Sequence, residues 1–175
     1  MDSLEKLKNH IRNIPDFPIK GIQFKDITTL LENAHALRET AVILTDYYKN
    51  RGITKVVGIE SRGFILGSIL AYNLNAGFVP IRKPGKLPAE TFEEIYEKEY
   101  GFDKVQIHKN TLTESDVVLM HDDLLATGGT SVAACNLVSR IGVKKIYLNF
   151  LVELEDLNGR NKIPEDIELM TLLKF

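Results

Sequence analysis

The chain has 175 residues, is 44% hydrophobic and 26% charged, and carries a formal net charge of −2. That is the size and apolar content of one domain with a sizeable core, and the near-balanced charge gives no global electrostatic basis for binding nucleic acid or a membrane surface. A lone cysteine, Cys135, excludes an intrachain disulfide framework and a cysteine-rich metal centre, while MDSLEKLKNHIRNI lacks an apolar leader core and no run is long enough to span a membrane, so a cytoplasmic globular protein is expected.

Residues 3–14 place Leu4, Leu7, Ile11 and Ile14 at helical spacing and predict a surface helix. The prolines and glycine of IPDFPIKGIQFKDITTLL break that period and predict an irregular arm with a short strand over 22–24. A helix over 34–50 is expected to end at Arg51-Gly52. KVVGI (55–59) reads as a buried strand, 64–74 as a helix and GFVPI (77–81) as a second strand. A polar excursion with turn signals occupies 82–101, long enough to suggest a lid, and a strand-like VQIHKN follows it. DVVLM (116–120) is the most hydrophobic strand; 131–141 reads as a helix and 145–152 as a further strand, and no element is assigned beyond it. Apolar strands alternating with helices predict an α/β fold, a mainly parallel sheet covered on both faces.

In such sheets ligands bind at the carboxyl ends of the strands, and three chemically suggestive clusters fall there. Glu60, Ser61, Arg62 and Gly63 follow the first strand; an arginine beside a glycine at a helix start can fork onto phosphate oxygens. Arg82, Lys83 and Lys86 surround a Pro-Gly turn after the second. The third cluster closes the stretch VVLMHDDLLATGGT. Asp122 and Asp123 are adjacent like charges that call for a positive or hydrogen-bonding partner; the vicinal hydroxyls of a ribose, or a Mg²⁺ bridging to them, would serve. Gly128 and Gly129 allow the backbone to approach a ligand, Thr127 and Thr130 add hydroxyls, and the helix that follows points free N–H groups at the loop, a phosphate-binding arrangement. Each cluster alone has an ordinary structural explanation: a capped turn, a solvated basic turn, a strand end. Their convergence is what points to a sugar bearing phosphates. The four histidines show no metal-ligand spacing.

VVLMHDDLLATGGT resembles the motif of the type I phosphoribosyltransferases, and DDLLATGGT is similar to its form in the adenine phosphoribosyltransferases. IPDFPIKGIQFKDIT resembles that family's N-terminal arm, ITKVVGIESRGFILG its pyrophosphate loop, and GFVPIRKPGKLP and EKEYG its later loops, so the similarity runs along nearly the whole chain. The resemblance implies the type I phosphoribosyltransferase fold over 1–175, with an N-terminal helix and hood over about 1–33, a core over about 34–175 and a flexible lid over about 83–101. It implies transfer of phosphoribosyl from 5-phosphoribosyl pyrophosphate to adenine, giving AMP and pyrophosphate, with Mg²⁺ held mainly through substrate, with Asp122 as a candidate ligand, and a homodimer with no nucleic-acid or membrane partner.

By position, the resemblance assigns Asp122 and Asp123 to the ribose hydroxyls. Ala126, Thr127, Gly128, Gly129 and Thr130 are assigned to the 5′-phosphate. Ser61, Arg62, Arg82, Lys83 and Lys86 are assigned to pyrophosphate, some acting across the dimer, with Arg62 catalytic and a cis peptide before Ser61. Glu99 is the catalytic proton-transfer group, Tyr100 a lid residue, and Phe24 and Lys25 the adenine contacts. The chain departs from the family at Ile19-Lys20, at Lys25, and at His121, which strand alternation is expected to turn away from the pocket into a structural role. Two rivals are a related enzyme acting on another purine and a non-catalytic ligand sensor; no helix-turn-helix segment precedes the core, the net charge is negative and Glu99 is retained, all of which disfavour the sensor.

Overall fold

Strands that are apolar on both faces need cover on both sides, and that requirement organises the chain. The computed structural model describes residues 3–97 and 101–175. Its contacts divide into two compact units, Met1–Asp46 and Tyr47–Phe175.

The first unit holds α1 (Ser3–Asn9), an antiparallel ribbon of β1 (Arg12–Pro15) and β2 (Gln23–Asp26), α2 (Thr28–Glu32) and most of α3 (Ala34–Tyr48). The helix expected over 3–14 stops at Asn9, because residues 12–15 pair with 23–26 instead. Arg12 and Asp26 face each other in that register, and Arg12 donates from Nη2 to Asp26 Oδ2 at 2.5 Å. Asp26 also accepts from the hydroxyl of Thr28 at 2.6 Å and its amide at 2.9 Å. The Thr28 hydroxyl and Arg12 hold the carboxyl down at about 2. Helical spacing of the apolar residues was therefore overridden by a cross-strand ion pair and a side-chain turn.

The second unit carries a five-stranded sheet, β3 (Lys55–Ile59), β4 (Gly77–Ile81), β7 (Val117–Leu125), β8 (Lys145–Glu153) and β9 (Glu168–Lys174), in the order β4-β3-β7-β8-β9, every pairing parallel. Two helices of this unit, α4 (Gly63–Asn73) and α5 (Gly129–Ser139), follow β3 and β7 directly. Ala133, Ala134, Leu137 and Val138 of α5 pack with Val57, Met120 and Leu148 of the sheet in one buried cluster. The expected parallel sheet flanked by helices is thus present. Two strands of this unit went unforeseen. β9 was not predicted at all, and the polar excursion contains a real strand, β5 (Thr91–Glu97), paired antiparallel with β6 (Phe102–His108). The expected lid is in this part a hairpin; its residues 98–100 lie outside the described residues. The hairpin is tied to the sheet by reciprocal backbone bonds between Arg82 and Gln106, at 2.9 and 2.8 Å.

His121 directly follows the strand expected over 116–120; the structure carries that strand through it and gives it a partner there. His121 is fully buried and its Nδ1 lies 2.7 Å from Oδ1 of Asn149, its register partner on β8. Asn149 donates in turn to the carbonyl of Met170 on β9, at 3.2 Å, so one polar thread crosses three strands. Burial outweighs the Asn149 hydrogen bond and pushes the imidazole down from 6.5 to about 4. Because the folded value lies below the unfolded one, the unfolded chain takes up a proton first as pH falls. Stability is retained above pH 6.5 and lost on descent through about 4, by roughly 3 kcal/mol for a shift of this size. Chemical denaturation at pH 7 and pH 4 should show that loss, and His121→Val should shrink the difference by a comparable amount. An unchanged pH dependence in the variant would assign the acid sensitivity to other groups.

Candidate active site

The carboxyl ends of β3, β4 and β7 meet around a cavity of about 530 Å³. Of the predicted site residues, Ser61, Arg62, Lys83, Asp122, Asp123 and Ala126 to Thr130 line it. Arg82 and Lys86 do not. The Arg82 guanidinium is committed to Glu60 Oε1 at 2.9 Å and to the Lys86 carbonyl at 3.1 Å. Phe24 and Lys25 sit on β2 of the other unit. Glu99 and Tyr100 lie outside the described residues. Glu60, part of the first cluster but given no role from the sequence, also lines the cavity. Its carboxylate receives Arg82 at one oxygen and the Lys83 amide, at 2.8 Å, at the other, which fastens the end of β3 to the turn after β4. Arg82 foremost holds this carboxyl below its ordinary value. The Glu60–Ser61 peptide is cis.

The strand expected over 116–120 runs on as β7 to Leu125, because Asp122, Leu124 and Leu125 continue the pairing with β8, so the acidic pair lies inside the carboxyl end of the central strand. Burial and then the neighbouring Asp123 push the Asp122 carboxyl well above its ordinary range. Asp123 is also raised by burial, against the pull of Arg62. Arg62 Nε lies 2.7 Å from Asp123 Oδ2 as an ion pair, although that oxygen receives no directed hydrogen bond. Asp122 Oδ1 accepts the Asp123 amide at 2.9 Å. Helix α4 starts hard against this corner. A Cβ at position 63 would stand 2.8 Å from the His121 carbonyl oxygen and 2.9 Å from Asp122 Oδ1. Gly63 is therefore required by the close approach of helix and strand, and any side chain there would displace Asp122.

The loop that follows bends at Gly128, which caps α5 with a left-handed φ of 82°. The first amides of α5, those of Gly129, Thr130 and Ser131, have no intrahelical acceptor, and the helix dipole favours an anion before them. What fixes the loop from behind comes from far along the chain. A Cβ at Gly128 would meet the Gly159 carbonyl at 2.7 Å, and a Cβ at Gly159 would collide with the Ala126 carbonyl. The short 3-10 turn Gly159–Lys162 that makes this contact is clamped by Arg160, which forks onto Glu153 at 2.8 and 2.6 Å, while Thr171 donates to the same carboxylate at 2.7 Å. The dipeptide Asn158-Gly159 marks a turn in the sequence, but nothing local indicates that it backs a loop thirty residues earlier. Tyr96 and Asp103 of the hairpin were missed as well. The Thr130 hydroxyl donates to the Tyr96 hydroxyl at 3.0 Å, which donates to Asp103 Oδ2 at 3.2 Å, and Lys83 is ion-paired with Asp103.

The arrangement offers two stacked functions. Paired carboxylates at the strand end accept hydroxyl donors or a cation, and an N–H-lined loop beside them accepts an anion. Arg62 and Lys83 add positive charge to the same cavity.

The chain matches the family described as "Phosphoribosyl transferase domain" over residues 25–167. It is similar to the adenine phosphoribosyltransferase of Bacteroides thetaiotaomicron, 61% identical over 171 residues that cover 98% of this chain and 97% of that protein. Among solved structures it is similar to the adenine phosphoribosyltransferase from Rhodothermus marinus, with a TM-score of 0.93 and 49% identity over 98% of each chain. It is also similar to the APRTase from Giardia lamblia complexed with 9-deazaadenine, with a TM-score of 0.93 and 44% identity over 100% of this chain and 99% of that one.

The raised Asp122 carboxyl has a measurable cost to the fold. A carboxyl whose folded value exceeds its unfolded value favours the protonated native state, so stability declines as pH rises from about 4 through the folded value. Asp122→Asn removes the like charge and should stabilise the protein by about 1 kcal/mol at pH 8, with little gain near pH 4. Thermal melts at the two pH values check this, and equal effects at both would show that the pair carries no electrostatic frustration.

Proposed function

The chain belongs to the phosphoribosyl transferase family, in the adenine phosphoribosyltransferase branch that its near relatives define, and on that premise we propose that it transfers the phosphoribosyl group of 5-phosphoribosyl pyrophosphate to adenine. The observation that carries this reading is the junction, in one cavity, of an acidic pair with an N–H-lined loop. Asp122 and Asp123 accept hydrogen bonds from the ribose 2′- and 3′-hydroxyls, and residues 126–130 hold the 5′-phosphate. Ser61, Arg62 and Lys83 meet the pyrophosphate. Arg82 and Lys86 join that role only through the resemblance, Arg82 by way of its hold on Glu60.

In the reaction the purine N9 attacks the anomeric carbon, the bond from that carbon to the pyrophosphate oxygen breaks with its electron pair, and the N9 proton is taken up by a base. Positive charge builds on the ribose as the bond breaks. The carboxylates oppose it electrostatically, and the cations stabilise the leaving group. Fixing the donor at both ends brings the anomeric carbon to the purine without a large entropic penalty at the reacting step. Glu99 is our candidate for the proton transfer, Tyr100 for the lid, and Phe24 and Lys25 for the adenine contacts, each on the strength of the resemblance alone.

Mg²⁺ belongs to this reading. Among the described residues no cluster of three or more His, Cys, Asp or Glu side chains could cage a metal ion, but two raised carboxylates, with Asp123 Oδ2 ion-paired to Arg62 yet without a directed hydrogen bond, suit a cation that brings most of its ligands with the substrate. Asp122 would complete its shell, and the ion would neutralise pyrophosphate charge. A homodimer is also part of the proposal. Its support is the apolar α4, which leaves Tyr72 87% and Ile65 42% exposed, one turn-pair apart on one face. A cytoplasmic setting accords with the single thiol, Cys135, buried and unpaired.

Purified protein supplied with the donor and one purine at a time should release pyrophosphate with adenine and far less with guanine, hypoxanthine or xanthine. A preference for another purine, or no turnover with any, would overturn the assignment. Glu99→Leu should lower kcat at least tenfold while the KM for the donor stays within about threefold; if kcat survives, the proton goes elsewhere.

A further inference from the structure

Two groups that the proposed function assigns to opposite ends of the sugar donor are held by one pair of residues on the hairpin. Lys83 lines the cavity, and its ammonium is ion-paired with Asp103 Oδ2 and donates to the Tyr96 hydroxyl at 3.3 Å. Thr130, in the phosphate loop, donates to the same Tyr96 hydroxyl at 3.0 Å. Tyr96 and Asp103 are register partners across β5 and β6, so the hairpin presents phenol and carboxylate side by side. Asp103 Oδ1 is used in turn by the Lys104 amide at 2.8 Å, which orients the carboxylate so that Oδ2 faces Lys83 and Tyr96.

A carboxylate placed this way cannot be neutral towards a polyanion. If pyrophosphate takes Lys83 for itself, the Lys83–Asp103 pair must break. If Lys83 is shared, the Asp103 carboxylate and the pyrophosphate oxygens are drawn to the same ammonium and repel each other within a few ångströms. Both geometries give the same sign. We propose that Asp103, steadied by Tyr96, is a built-in competitor for the Lys83 ammonium and thereby weakens the hold of the cavity on the pyrophosphate group. Asp103 is a positioning residue in this account, since it acts through Lys83 and not on substrate. Its consequence for turnover is a looser grip on pyrophosphate as donor moiety and as leaving product alike, which favours release. The proposal rests on the assignment of Lys83 to the pyrophosphate end of the donor.

Calorimetry with inorganic pyrophosphate tests it. Asp103→Asn keeps the shape of the side chain and removes the competing charge, and it should tighten pyrophosphate binding threefold to tenfold, about 0.7–1.4 kcal/mol. The KM for the donor should fall in parallel, and the KM for adenine should stay within about twofold. Asp103→Ser, smaller and also neutral, should act in the same direction. In a Lys83→Met background the Asp103→Asn gain should vanish, because nothing is left to compete for; a purely structural role of Asp103 would not produce this dependence. Binding that is unchanged or weaker in both Asp103 variants overturns the proposal, as does a gain that persists without Lys83. Pyrophosphate binding is read without adenine, so a protein that fails to use adenine would overturn the proposed reaction while leaving this competition to be decided by its own measurement.

Discussion

Two neighbouring carboxylates at the end of a buried strand are the constraint on which the rest of this site depends. Asp122 and Asp123 lie near the carboxyl end of β7, the third of five parallel strands, with Leu124 and Leu125 still to follow. Apolar strands on either side offer no solvation, so burial raises both groups. The surrounding chain compensates only in part. Arg62 reaches Asp123, and Gly63 leaves room for Asp122, but one oxygen of Asp123 still lacks a directed donor. A pair satisfied by its own protein would have little left with which to hold a ligand. The residual frustration is what hydroxyl donors or a cation would relieve.

The most hydrophobic strand lies at the centre of the sheet because it is the one that most needs cover from both sides. That placement puts the acidic pair in the middle of the carboxyl edge, flanked by the end of β3 with Ser61 and Arg62 and by the end of β8 with Glu153. The order of the strands and the chemistry of the cavity follow from the same hydrophobic ranking. Loop and carboxylates need no long-range contact to become neighbours, since they are consecutive in the chain. The cationic side needs the sheet to bring it there.

This explains what could be read from the sequence. KVVGI and GFVPI were found to the residue because an apolar run with a glycine or proline at its edge has one plausible conformation. DDLLATGGT was readable because its acids, glycines and hydroxyls act within ten residues of each other. β9 was not readable, since ELMTLLK carries no clear alternation and gains its order only by pairing with β8. Gly159 and Arg160 were missed because their role, buttressing Gly128 and Ala126 from behind, is set by a contact between distant segments. β5 was hidden by its charge: Glu93 and Glu94 look like loop residues until Lys104 and Arg140 are brought opposite them. His121 is the reverse case: strand alternation already pointed to a structural role despite the acidic pair beside it, and the residue is a buried hydrogen-bonding partner of Asn149.

The charge pattern of the cavity has a logic that no single pair reveals. Arg62 is matched with Asp123, Arg82 with Glu60 and Lys83 with Asp103, so each of these cations already has a carboxylate. Unpaired, they would repel one another and would each lose solvation on partial burial. Paired, they are held in fixed orientations at a modest electrostatic cost, and the matched carboxylates differ in what a polyphosphate could do to them. Glu60 is doubly anchored, by Arg82 and by the Lys83 amide, and therefore acts as scaffold. Asp123 can trade Arg62 for a hydroxyl donor, so both members of that pair gain partners when they separate. Asp103 gives up the Lys83 ammonium when a polyphosphate takes it, and keeps the Tyr96 hydroxyl and the Lys104 amide. The three pairs thus range from fixed, through exchangeable, to opposed, and it is the opposed one, on the hairpin, that adjusts affinity without touching the groups that do the chemistry.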